Sequence, residues 1–185
     1  MTKRFATAVV LLGLAASACG EGEDDAVACK SGGAEDRRYF ALFDTEWEQR
    51  GADGSPNNGL TPFDVDWYVE YERSVPPPPG AFAATETMNV SGYESGLDEQ
   101  VTQLSEVLGG AVLEFSDADV DGRRARTTTT GGRGGVGILY LEVRDDYTLE
   151  LLGSELERDE LLEVAAQLDA VCQDEWFDAI EGNAT

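Results

Sequence analysis

Residues 111–152 read AVLEFSDADVDGRRARTTTTGGRGGVGILYLEVRDDYTLELL, four runs of β-branched, aromatic and alternating residues parted by turn residues. Ala111 to Val120 is strand-like, and Asp121-Gly122 then forms a two-residue hairpin signal, because both positions tolerate positive φ. The return run, Arg123 to Thr130, is rich in arginine and threonine. Gly131 to Gly135 turns into Val136 to Val143, and Arg144-Asp145-Asp146 turns into Tyr147 to Leu152. Alternation with short turns predicts a meander of about four antiparallel strands.

The meander is bracketed by two helical patterns. Upstream, Leu97, Val101, Leu104 and Leu108 form one stripe at the α-helical period over roughly Ser95 to Leu108, stopped by Gly109-Gly110. Downstream, Leu161, Leu162, Ala165, Leu168, Val171 and Cys172 predict one helix from Ser154 or Glu155 to about Cys172. Glu157, Asp159 and Glu160 suit its first turns. Trp176, Phe177 and Ile180 add a short packed extension. Farther upstream, Val65, Trp67, Val69 and Tyr71 alternate with Asp66, Tyr68, Glu70 and Glu72, a half-buried strand from about Asp64 to Arg73. Pro76 to Pro79 end it, and a shorter strand follows from about Ala84 to Val90. Residues 39–60 carry Tyr39, Phe40, Leu42, Phe43 and Trp47, but no clear period. The expectation is an α+β domain over residues 36–185: an antiparallel sheet of four to six strands with one face packed on two helices.

The first residues carry an address. Lys3 and Arg4 precede ten apolar or small residues, Phe5 to Leu14, and then Ala15-Ala16-Ser17-Ala18-Cys19. This is the layout of a secretory signal over residues 1–18. The apolar run is too short for a span, which needs about 20 residues. Ala16-Ser17-Ala18-Cys19 resembles a bacterial lipobox, although Ala16 stands where that family most often has Leu. The resemblance implies that Cys19 takes a diacylglyceryl group, with palmitate-type acylation, and that the chain is an extracytoplasmic lipoprotein on the cell membrane or outer membrane. Gly20, not Asp, follows the cysteine, which in that family permits outer-membrane sorting. Ala16 and Ala18 also fit an ordinary signal-peptidase site, cut at the same bond and leaving Cys19 bare. The acidic Gly/Ser/Ala-rich segment that follows, residues 19–35, reads as a disordered tether, and a tether there favours the anchor.

The chain holds 37 acidic and 13 basic residues and no histidine, for a net charge of −24. The signal segment contains two of the cations and none of the acids, so the remainder is more acidic still. Such a chain repels nucleic-acid phosphates, and nucleic acid is excluded as a partner. Three cysteines leave an odd thiol. If Cys19 is lipidated, Cys29 and Cys172 remain to pair in an oxidising compartment; two independent thiols are the alternative.

The absence of histidine removes Ser-His-Asp and Cys-His catalysis and His-ligated zinc. Lys30, the only lysine after the signal segment, lies in the tether and offers no serine–lysine chemistry. Gly132 to Gly137 matches G-x-G-x-x-G, but a strand pattern follows where the dinucleotide motif needs a helix. Asp117-Ala-Asp-Val-Asp-Gly122 copies half of an EF-hand loop, yet Thr128 stands where the bidentate Glu is required. Arg123, Arg124 and Arg126 are expected to pair with neighbouring acids across the hairpin, with an anion contact as the alternative. Carboxylate pairs are too abundant for any one to point to a hydrolase.

A second, weaker resemblance lies in Gly122-Arg-Arg-Ala125, Tyr147-Thr-Leu-Glu-Leu-Leu-Gly153 and Glu160-Leu-Leu-Glu-Val-Ala-Ala166. These look like the end of bacterial lipoprotein domains, some similar to the LolA and RseB carrier fold, a curved antiparallel sheet over helices. The resemblance covers about a third of the chain and brings no ligand-binding residues with it. The functional expectation is a monomeric, non-catalytic envelope module without cofactor or metal, presenting a sheet face to a protein or an apolar ligand. The alternatives are a lipid carrier, with a pocket beneath Leu97, Val101 and Leu104, and a carboxylate-based extracytoplasmic hydrolase.

Overall fold

A computed structural model of the chain describes residues 39–43, 45–53, 65–76, 84–107, 113–129 and 135–182. The segments expected to be signal and tether, with Cys19 and Cys29, lie outside the described residues. In chain order the elements are β1 (Tyr39–Ala41), β2 (Glu48–Asp53), β3 (Val65–Val75), β4 (Ala84–Tyr93), α1 (Leu97–Val107), β5 (Ser116–Val120), β6 (Arg123–Thr129), β7 (Val136–Arg144), β8 (Tyr147–Ser154), α2 (Arg158–Ala166), β9 (Asp169–Val171) and α3 (Gln173–Gly182).

The class is α+β, but the sheet is larger than the four to six strands expected. Seven described strands run in the order β2-β3-β4-β8-β7-β6-β5, all antiparallel, and β1 pairs with β9 in a separate ribbon. Two meanders build the sheet, β2–β4 and β5–β8. They join where β4 lies beside β8, with Val90 opposite Leu151. The Asp-Gly hairpin forms as the residues dictate: Asp121 has φ 52 and Gly122 φ 80, and the Gly122 N–H donates to Asp119 Oδ1 at 2.9 Å.

Strand alternation sorts the side chains onto two faces. Trp67, Val69, Tyr71, Met88, Val90, Leu139, Leu141, Leu149 and Leu151 lie on one face and are almost fully buried beneath α2, Leu156 and Trp176. Gly137 and Gly153 are opposite each other on this face, and Leu156 sits over both. A Cβ on Gly137 would come within 2.5 Å of the Leu156 carbonyl oxygen, so the close approach itself requires glycine.

Two expectations need correction. The helices do not share a face: Leu97 of α1 packs with Ile138 and Tyr140, which alternate with Leu139 and Leu141 and so point to the opposite side from α2. The sheet is sandwiched, because its central strands carry apolar residues on both faces. The last helix is not continuous to Cys172 either. It stops at Ala166, Asp169–Val171 pairs with Tyr39–Ala41, and a new helix begins at Gln173. The buried backbone of Tyr39–Ala41 needs a ladder partner, and this distant demand overrides the local helical stripe. Trp176 closes the ribbon by donating its Nε1–H to the Phe40 carbonyl at 3.2 Å.

Candidate functional site

The register places Tyr68, Ser91, Glu150, Tyr140, Arg126 and Asp117 in one row across β3, β4, β8, β7, β6 and β5. The row lies on the outer face, the side that carries α1. At its centre the half-buried Glu150 accepts hydrogen bonds from the hydroxyls of Tyr93, at 3.2 Å to Oε1, and Tyr140, at 2.6 Å to Oε2. Burial pushes the Glu150 carboxyl above the usual carboxylate range, and the two phenol donors oppose that shift without cancelling it. Burial and the adjacent carboxylate in turn push both tyrosines upward.

Coverage of the outer face is uneven. Helix α1 packs against β6, β7 and β8. Toward β3 and β4, Glu70 and Asn89 are exposed, and Tyr68, Glu72 and Thr87 are partly so. Beneath α1 the apolar cluster of Leu97, Ile138 and Tyr140 is ringed by Val101, Leu104, Leu113, Phe115, Val136 and Leu152, each only partly buried. The stripe Leu97, Val101, Leu104 thus packs on the sheet as a small satellite core.

A second polar cluster lies at the other side of β3. Arg73 donates through Nε to Glu86 at 2.9 Å, through an Nη to Glu46 at 2.5 Å, and through its other Nη to Glu160 at 3.3 Å. Its guanidinium also lies 4.6 Å from the centre of the Trp47 ring. Burial pulls its pKa down, but Glu86 and Glu46 outweigh that and raise it. Beside it Glu46, Trp47, Arg73, Glu160, Glu163, Val164 and Gln167 line a pocket of about 90 Å³. Ligand pockets run to about 300–1,000 Å³, so this volume suits a few waters. With three carboxylates held by one guanidinium, the cluster reads as a structural clamp joining β3, β4 and α2.

Cys172 is disulfide-bonded; the pairing with Cys29 falls outside the described residues. Arg126 bonds Asp117 at 2.9 Å, directly across the hairpin, whereas Arg124 reaches Glu142 at 3.2 Å and Asp98 of α1 at 3.5 Å. Of the Gly132–Gly137 motif, the described residues put Gly137 inside strand β7, not at a helix start. Among the described residues no group of three or more His, Cys, Asp or Glu side chains is arranged to hold a metal ion, and no helix is long and apolar enough to cross a membrane. Sequence reading missed Glu150 and Arg73, although each breaks the pattern of its strand. Glu150 interrupts the apolar run Leu149–Leu152, and Arg73 occupies the inward-facing register of Trp67, Val69 and Tyr71.

No family model, no curated protein and no solved structure matches the chain.

Proposed function

We propose that the chain is a cell-envelope lipoprotein, anchored through Cys19, whose domain is a non-catalytic binding module presenting the outer face of its sheet to a protein partner. The observation that carries this reading is the contrast between the two faces. The inner face is sealed, with Trp67, Val90, Leu139 and Leu151 at 0% exposure, while Tyr68, Glu70, Thr87 and Asn89 on the outer face reach solvent. An array of one aromatic ring among hydrogen-bonding side chains suits a polar protein surface better than an apolar ligand. Site-specific photo-crosslinking in the native host tests it. A crosslinker at Tyr68 or Asn89 should yield a discrete adduct, and one at exposed Glu163 on α2 should not. Adducts at Glu163 alone would reject the face.

The carrier reading keeps one supporting observation, the ring of partly buried apolar side chains beneath α1. Native mass spectrometry of the purified chain decides it: co-purified lipid supports a carrier, and an empty monomer counts against one.

A further inference from the structure

We propose that Glu150 is a proton-controlled latch across the seam between the two meanders, tied to Tyr93 on one side and Tyr140 on the other. The seam is the β4–β8 pairing, the one place where β2–β4 and β5–β8 meet in the described sheet. Glu150 stands on β8 with Ser91 of β4 and Tyr140 of β7 as its cross-strand neighbours, and Tyr93 lies diagonally on β4. One carboxyl thus bridges three strands through two tyrosines that are only 2% and 0% exposed.

The two protonation states make different bonds. When the carboxylate is ionised, both phenols donate to it. When it holds a proton, its own O–H donates to one phenol oxygen, and that phenol must turn its hydrogen elsewhere. The flanking charges do not neutralise the carboxylate directly. On β6, Arg126 is held by Asp117 at 2.9 Å and by Asp98 of α1 at 3.9 Å; on β7, Glu142 is held by Arg124; on β3 the row ends in Tyr68. Desolvation therefore dominates and favours the neutral form, as the upward shift at Glu150 reflects. For an acid whose folded pKa is raised, stability is complete at acidic pH and falls as pH rises through the folded value. Ionisation adds a buried charge whose desolvation the two phenol bonds only partly offset, so the seam loses stability as Glu150 ionises even though both phenols still donate.

The latch reaches α1 through Thr148, two residues away on β8. Its Oγ1 donates to the Ser95 carbonyl at 2.8 Å, and the Gln100 side-chain amide donates to the Ser95 hydroxyl. Buried Gln100 keeps its Oε1 without a hydrogen-bond partner, so this hook is already under-satisfied. Loosening the seam frees the start of α1 and with it the cover over the apolar outer cluster. This inference concerns the fold and stands whether or not the outer face binds a partner.

The test is a carboxyl-detected NMR titration of the full chain, with hydrogen exchange measured over the same pH range. The Glu150 midpoint should lie above 4.5, and Tyr140→Phe, which removes a donor to the carboxylate, should move it higher. Amides of β4, β8 and the first turn of α1, corrected for intrinsic exchange, should lose protection through that midpoint in wild type but not in Glu150→Gln. A midpoint at or below 4.5, or identical exchange profiles for wild type and Glu150→Gln, overturns the latch. If Glu150→Gln does not fold, the wild-type midpoint and the Tyr140→Phe shift decide the matter.

Discussion

Trp67 donates its indole Nε1–H to the hydroxyl of Tyr147 at 2.8 Å, and the bond passes over Gly92, where no side chain larger than hydrogen fits. A Cβ on Gly92 would lie 2.3 Å from the Tyr147 oxygen and 2.5 Å from Trp67 Nε1. Tyr147 in turn donates its O–H to Asp66 Oδ2 at 3.0 Å, so β3 and β8 are tied across β4 by a chain of polar atoms.

Gly92→Ala should therefore destabilise the domain by about 3 kcal/mol, combining overpacking with a displaced buried hydrogen bond. Tyr147→Phe alone should cost about 1–2 kcal/mol. In the double variant the clash with the hydroxyl is gone, so the combined loss should be smaller than the sum. Urea unfolding of the four proteins checks the cycle, and simple additivity would show that the glycine is not there for this bond.

Arg73→Met keeps the apolar stem but strips Glu46, Glu86 and Glu160 of their shared cation. Glu86 is the most buried of the three, with 15% of its side chain exposed, and should suffer most. The expected loss is about 2 kcal/mol, discounted for partial exposure. Glu46→Gln, with 69% of the side chain exposed, should change stability by less than about 0.5 kcal/mol. Denaturation midpoints at low and high salt separate the two cases.

Tyr71 is 1% exposed, and burial pushes its phenol up to about 12, opposed by the hydrogen bond it accepts from the Leu42 N–H at 3.1 Å. The unfolded chain releases this proton near the ordinary value of 10.0, so between there and about 12 the unfolded state binds fewer protons and stability falls with rising pH. Tyr71→Phe should flatten that alkaline slope while lowering stability at neutral pH. Unfolding followed from pH 9 to about 12 would show it, and an unchanged slope would count against the assignment.

The anchor and the disulfide are checked together. Cys19→Ser should release the chain from the membrane fraction without unfolding the domain, and intact mass of the wild type should include the lipid. Peptide mapping without reductant should link Cys172 to Cys29. Cys172→Ser should cost up to about 4–5 kcal/mol, because the bridge closes nearly the whole domain into one loop. A soluble product with a bare Cys19, or Cys172 linked to Cys19, would reject the proposed arrangement.

Much of the sheet is legible in the sequence. The alternation of Val65, Trp67, Val69 and Tyr71 places β3, and Asp121-Gly122 places the β5–β6 hairpin, because period and turn chemistry act over a few residues. The site was less legible. In sequence Glu150 is one acid among 37, and its meaning comes from Tyr93, 57 positions away, and Tyr140, 10 positions away.

By itself the sequence determined the strands of the second meander, its tight turn, the amphipathic stripe of α1 and the chemistries closed to a chain without histidine. Those follow from local backbone preference and from which atoms the side chains contain. Only the tertiary structure decided that α1 and α2 lie on opposite faces, that Tyr39–Ala41 draws Asp169–Val171 out of a helix, and that Arg73 gathers three glutamates. Each of these depends on groups far apart in the chain that must share one buried space, where unpaired backbone and charge cost too much for the local pattern to prevail.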